Sequence, residues 1–122
     1  MGIFGKSKEE KRKKLLALWE ALKKTNTLTL YDIETIIREQ SDLSSAAAEE
    51  LFMHNFSLQE LFNVFFHVQY KAILEKHCAE TSVVIGKKLI EKCSTDEDFE
   101  KFLIGCDSQD LKEEVAEKVL ES

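Results

Sequence analysis

The sequence predicts an all-α fold, and three observations carry that expectation. There is no proline and only four glycines in 122 residues, so little interrupts a helix. Leu, Ala, Lys and Glu dominate, and no stretch sustains the period-two alternation of a half-buried strand. The third observation is the stretch Phe56 to His77. Ser57 followed by Glu60 has the spacing of a capping box, which places a helix start there. From Leu61 to Tyr70 no residue is charged, and apolar side chains fall on every face of the helical wheel. Such a helix is buried on most sides or spans a membrane. A span takes about 20 apolar residues, and Lys71 and Glu75 end this run at roughly half that length. Six of the eleven aromatics (Phe52, Phe56, Phe62, Phe65, Phe66 and Tyr70) lie in or beside the run, so the core is expected here. The predicted architecture is six to seven short antiparallel helices, in a helical stack or an irregular bundle around this aromatic-rich helix.

The elements follow in order. Residues 1–7 read as a flexible N-terminal segment, and residues 8–122 as a single all-α domain, long enough to bury about two-thirds of its unfolded surface. Ser7 with Glu10 offers a capping box for a first helix over about Lys8 to Lys24, with Leu15, Leu18, Trp19 and Leu22 on one stripe. Thr25-Asn26-Thr27 is a connector. Thr29 with Asp32 caps a helix carrying Leu30, Ile33, Ile36 and Ile37 inward. A third helix runs from Asp42 to about His54, with Leu43, Ala47, Leu51 and Phe52 inward. The central helix follows, to Cys78 or to a break near Gln69. Thr81 is expected to cap the next, with Val84, Ile85 and Leu89 inward and Gly86 permitting close approach. Thr95 with Asp98 caps a helix carrying Phe99, Phe102 and Leu103, which stops at Gly105. Asp107 or Ser108 opens the last, with Leu111, Val115, Val119 and Leu120 inward.

Two segments read as variants of one pattern. Asp32-Ile33-Glu34-Thr35-Ile36-Ile37 leads through Ser41-Asp42-Leu43 to Ala48-Glu49-Glu50-Leu51-Phe52. Asp98-Phe99-Glu100-Lys101-Phe102-Leu103 leads through Asp107-Ser108 to Ala116-Glu117-Lys118-Val119-Leu120. Each is a short helix, a polar turn and a second helix, with a longer hairpin expected between them from Leu58 to Cys93. The pattern resembles the α-hairpin repeats of the HEAT and armadillo class over about residues 29–122. The resemblance implies stacked helix pairs that present a helical surface to a protein partner.

Charge is distributed unevenly. Residues 1–14 carry Lys6, Lys8, Lys11, Arg12, Lys13 and Lys14 against Glu9 and Glu10, a net of +4, whereas from Ser94 onward ten acids stand against three lysines, a net of −7. The basic start, with Phe4 at its apolar tip, is a candidate contact for an anionic membrane surface. Nucleic acid is not expected, because the acidic body opposes it and no aromatics interleave the lysines. With the apolar residues of the last hairpin turned inward, Glu100, Asp110, Glu113, Glu114 and Glu117 are left as a candidate surface for a basic protein.

Motifs of catalysis are missing: the sequence holds no H-E-x-x-H, P-loop, G-x-S-x-G or G-x-G-x-x-G. Cys78, Cys93 and Cys106 are odd in number and lack C-x-x-C spacing, so they read as small buried hydrophobes in a reducing cytosol. His77, Cys78 and Cys93 are the best residual ligand cluster, yet His77 and Cys78 as helical neighbours point about 100° apart and no fourth ligand is evident. His67 reads as a hydrogen-bonded core or groove histidine. The basic run before Leu15 resembles the start of a secretory signal, but its apolar run stops at Glu20 with no cleavage-like site. The expected protein is therefore a cytoplasmic, non-enzymatic protein-interaction module without cofactor or metal, with peripheral membrane contact through residues 1–14 as a variant. The alternative expectation is an inhibitor or immunity-type protein that neutralises a basic enzyme.

Overall fold

Seven helices and no strand make up the described residues of the computed structural model, which are 8–39 and 41–121. They are α1 (Lys8–Lys24), α2 (Leu30–Glu39), α3 (Ser44–Met53), α4 (Leu58–Lys71), α5 (Lys76–Lys92), α6 (Asp96–Gly105) and α7 (Gln109–Glu121). The all-α expectation holds, and local chemistry sets most of the boundaries. Both Ser57 with Glu60 and Thr95 with Asp98 form complete capping boxes. At α2, Asp32 N–H donates to Thr29 Oγ1 while Thr29 N–H donates to Asp32 Oδ2. The helix α1 ends in a Schellman turn. Thr27 N–H donates to Leu22 O and Asn26 N–H to Lys23 O, with Asn26 at φ 56°, a conformation asparagine tolerates better than most residues. The expected capping box at Ser7 lies outside the described residues.

Helices α2 and α3, α4 and α5, and α6 and α7 pair as hairpins, and the hairpins lie side by side. Contacts between neighbours advance in the same direction along both chains. Glu34 meets His67 and Glu39 meets Lys71, so α2 and α4 are parallel. Gln59 meets Lys101 and Gln69 meets Gly105, which makes α4 and α6 parallel. In the other row, Ser44 meets Thr81 and Phe52 meets Lys88, and then a Cβ on Gly86 would meet Leu111 while Ile90 meets Lys118. The chain therefore forms two layers, α2-α4-α6 and α3-α5-α7. Lys11 reaches Glu39 at the far end of α2, so α1 runs antiparallel to α2, and its Trp19 is buried.

The core is centred on α4, where Phe62 and Phe65 are buried and Phe65 stacks on Phe102 of α6 at 5.2 Å between ring centroids. A Cβ on Gly86 would sit 2.6 Å from Leu111 Cδ1 and 3.1 Å from the Phe65 ring, so the bare position lets these side chains lie directly on the α5 backbone.

The structure corrects several expectations. Helix α5 starts at Lys76, not after Thr81. The Thr81 hydroxyl is buried inside the helix, 2.7 Å from Ser44 Oγ, which also donates to Ile37 O. That pair satisfies two buried hydroxyls across α3 and α5, a use the local sequence does not reveal. Of the two ends expected for α4 the structure has the break near Gln69, at Lys71, and Cys78 belongs to α5. Nor is α4 buried all round: Asn63, His67 and Tyr70 look outward, Tyr70 being 77 % exposed. Leu18, Val84, Leu103, Val119 and Leu120 are likewise exposed rather than inward, because a stack this narrow covers only one stripe of each outer helix. Among the described residues no helix is long and apolar enough to cross a membrane.

Candidate functional site

The acids of the last hairpin start from ordinary helix chemistry. Asp96, Glu97 and Asp98 occupy the first turn of α6, where the helix dipole favours negative charge. Asp98 is consumed there. The Ser94 N–H, and then the Thr95 N–H and hydroxyl, hold its carboxyl below the usual carboxylate range. Helix α7 buries Leu111 and Val115 against α5 and α6, which turns Asp110, Glu113, Glu117 and Glu121 outward.

Two of the three lysines in this region are turned away from these acids. Lys118 Nζ donates to the carbonyls of Ile90 (2.6 Å), Cys93 (3.1 Å) and Glu91 (3.3 Å), closing the C-terminal end of α5, and lies 5.6 Å from the centre of the Phe99 ring. Lys101 Nζ donates to Gln59 Oε1 at 2.9 Å. Every ion pair between described residues lies between Glu9 and His77.

A groove of about 460 Å³ runs between α5 and α7, lined by Lys87, Ile90, Glu91, Glu114, Glu117, Lys118 and Glu121. Glu114 is half-buried, and its Oε2 is shut from solvent with no hydrogen-bond partner. An acceptor left in that state costs about 1–3 kcal/mol, and an entering ammonium or guanidinium would satisfy it.

Of the acids expected from the sequence, the groove gathers Glu114 and Glu117. Asp110 and Glu113 are exposed on α7 outside it, and Glu100 is exposed on α6. Glu91 and Lys87, which complete the groove, carry no local signal in the sequence, because they join it only through the packing of α5 on α7.

At the basic start, Lys8, Lys11 and Arg12 line a second cleft of about 430 Å³ with Arg38, Glu39, Glu75 and His77. Arg12 is paired with Asp42 and Glu9, and Lys11 with Glu39. Lys13 and Lys14 are exposed outside this cleft, and Phe4 and Lys6 lie outside the described residues.

All three cysteines are buried free thiols. Burial pushes their pKa values up, that of Cys93 to about 11, so at neutral pH they are protonated and poor nucleophiles. Cys78 Sγ lies 3.5 Å from His77 Nε2, which also contacts Arg38 O at 3.1 Å. Among the described residues no three His, Cys, Asp or Glu side chains come together as a metal-holding group. His67 is on the surface rather than in the core, with Nδ1 2.9 Å from Glu34 Oε1, and lines a shallow groove with Arg38, Tyr70 and Lys71. No protein-family model matches the chain, and no curated protein or solved structure matches it either.

Proposed function

We propose that this protein is a non-enzymatic protein-interaction module, a small HEAT-like stack of α-hairpins whose last hairpin docks on a basic protein. One observation carries the reading. The ion pairs between described residues gather on α1, α2 and the elements beside them, whereas none joins the described acids of α6 and α7, and Lys101 and Lys118 are turned onto neutral acceptors. A single-sign field of this kind repels itself unless salt screens it or a cationic partner matches it. It also steers such a partner, with association rates raised by about 10–10³.

Charge reversal tests this. Partners captured by the parent protein are compared with those captured by the triple variant Glu113→Lys, Glu114→Lys and Glu117→Lys. The expected result is that a basic partner associates ten-fold or more slowly with the variant at low salt, and that the difference shrinks as salt rises. If the variant takes the partner as fast as the parent does, the acids are only solvated. The contact must then be sought around Phe56, Phe66 and Tyr70.

The buried, unpartnered Glu114 oxygen favours one narrower form, an inhibitor that accepts a single Arg or Lys of a basic enzyme into the α5–α7 groove. Stoichiometric loss of the captured partner's enzymatic activity would single it out.

A further inference from the structure

The turn between α4 and α5 carries an apolar face with nothing folded over it. Leu74 N–H donates to Lys71 O at 2.9 Å and Glu75 N–H to the same carbonyl at 3.0 Å, so the helical course continues past the end of α4. Tyr70, Ile73 and Leu74, at i, i+3 and i+4, therefore share one side. They are 77 %, 79 % and 80 % exposed. Single exposed apolar side chains are ordinary, but three together mark a contact surface.

What surrounds them indicates the partner. Lys71 and Lys76 flank them with the exposed acid Glu75 between Leu74 and Lys76, and the basic start of α1 lies next to them. Lys11 and Lys71 bracket the Glu39 carboxylate at 3.8 and 3.5 Å, and Lys8, Lys11 and Arg12 share their cleft with Glu75 and His77, the residues that follow the turn. Two acids of that cleft are already engaged, Glu9 by Arg12 and Glu39 by the two lysines, and Glu75 lies 4.0 Å from His77 Nδ1. Lys8, Lys13 and Lys76 have no acid within ion-pair distance among the described residues.

An apolar tip in a collar of lysines suits an anionic bilayer. Apolar side chains enter the headgroup boundary while long lysine stems keep their ammonium groups level with the phosphates. A second copy of the chain would set one lysine collar against another. The acidic groove does not interfere. Lys76 and Glu91 are separated along α5 by roughly 22 Å at 1.5 Å per residue, more than twice the Debye length of about 8 Å at physiological salt.

We infer that the α4–α5 turn, with the start of α1, is a docking surface for an anionic lipid bilayer. This is independent of the acidic face and goes beyond a basic N-terminal run, because the inserting residues belong to a different part of the chain.

Co-sedimentation of the full chain with vesicles tests it. Vesicles of phosphatidylcholine containing about 30 % phosphatidylserine are expected to carry the protein down, and phosphatidylcholine alone at least ten-fold less. Ile73→Ser with Leu74→Ser, and separately Lys8→Glu with Lys76→Glu, are each expected to cut the bound fraction ten-fold or more. The melting temperature should hold, since all four side chains are exposed. The inference is overturned if the parent stays in the supernatant with the anionic vesicles, or if both variants sediment like the parent. It is also overturned if the parent forms a dimer that Ile73→Ser with Leu74→Ser abolishes and vesicles do not recruit it, because the face then belongs to a second copy.

Discussion

The first hairpin and the last are built on the same core yet treat charge in opposite ways. Around α2 and α3 nearly every cation meets an acid. Arg12 pairs with Asp42, Lys11 and Lys71 share Glu39, and Arg38 and His67 share Glu34. Around α6 and α7, Lys101 and Lys118 meet an amide and carbonyls instead, and Glu100, Asp110, Glu113 and Glu117 are left exposed. Both hairpins lean on α4, the last one through the stacked rings of Phe65 and Phe102. The contrast is therefore one of surface rather than of stability. A part that neutralises itself is complete in isolation. A part that turns its lysines inward and its acids outward holds its fold with the first and leaves the second for something else.

The largest expected effect removes the element the two regions share. Phe65 is fully buried between α4, α5 and α6, and Phe65→Ala should cost about 3–5 kcal/mol, enough to unfold a marginal domain. Thermal melting followed by circular dichroism reads this. An unchanged midpoint would mean the hairpins do not share a core, and the comparison would lose its footing.

A smaller effect is confined to the last hairpin. Lys118→Met keeps the aliphatic stem but leaves the carbonyls of Ile90, Glu91 and Cys93 without their donor, at about 1–2 kcal/mol. Urea unfolding should show the loss. If stability stays constant, Lys118 is not needed as a cap, and the case that the lysines of this hairpin are committed inward weakens.

Smaller again is Thr95→Ala, which breaks the capping box of α6 at about 1 kcal/mol. The same box carries a pH signature. Because the folded pKa of Asp98 lies below its unfolded value, its contribution is fully present above the ordinary carboxylate pKa and is lost as pH falls below about 4. The parent should lose stability on that acid limb, and Asp98→Asn should flatten it.

These boundaries were legible because their causes are local. Ser57 with Glu60, Thr29 with Asp32 and Thr95 with Asp98 each state a helix start within four residues. What escaped the sequence depends on partners far along the chain. Thr81 has the chemistry of a cap, but its hydroxyl meets Ser44, 37 residues earlier, so α5 starts before it. Nothing in the sequence singles out Ile73 and Leu74, which the packing of the hairpins leaves outside. The acids of α7 were legible as a set. Their grouping was not, since Glu114 sinks into a groove completed by Glu91 and Lys87 of α5.

The smallest expected effect bears most directly on the central claim, that Glu113 and Glu117 have no ion-pair partner among the described residues. Glu113→Gln with Glu117→Gln should leave the melting temperature at low salt unchanged or slightly raised, by no more than about 0.5 kcal/mol, as repulsion within the field is relieved. Added salt should raise the parent's melting temperature and erase the difference. A fall of the size expected for Thr95→Ala would contradict the account, because it would mean that these carboxylates already hold the fold together and are not free to receive a partner.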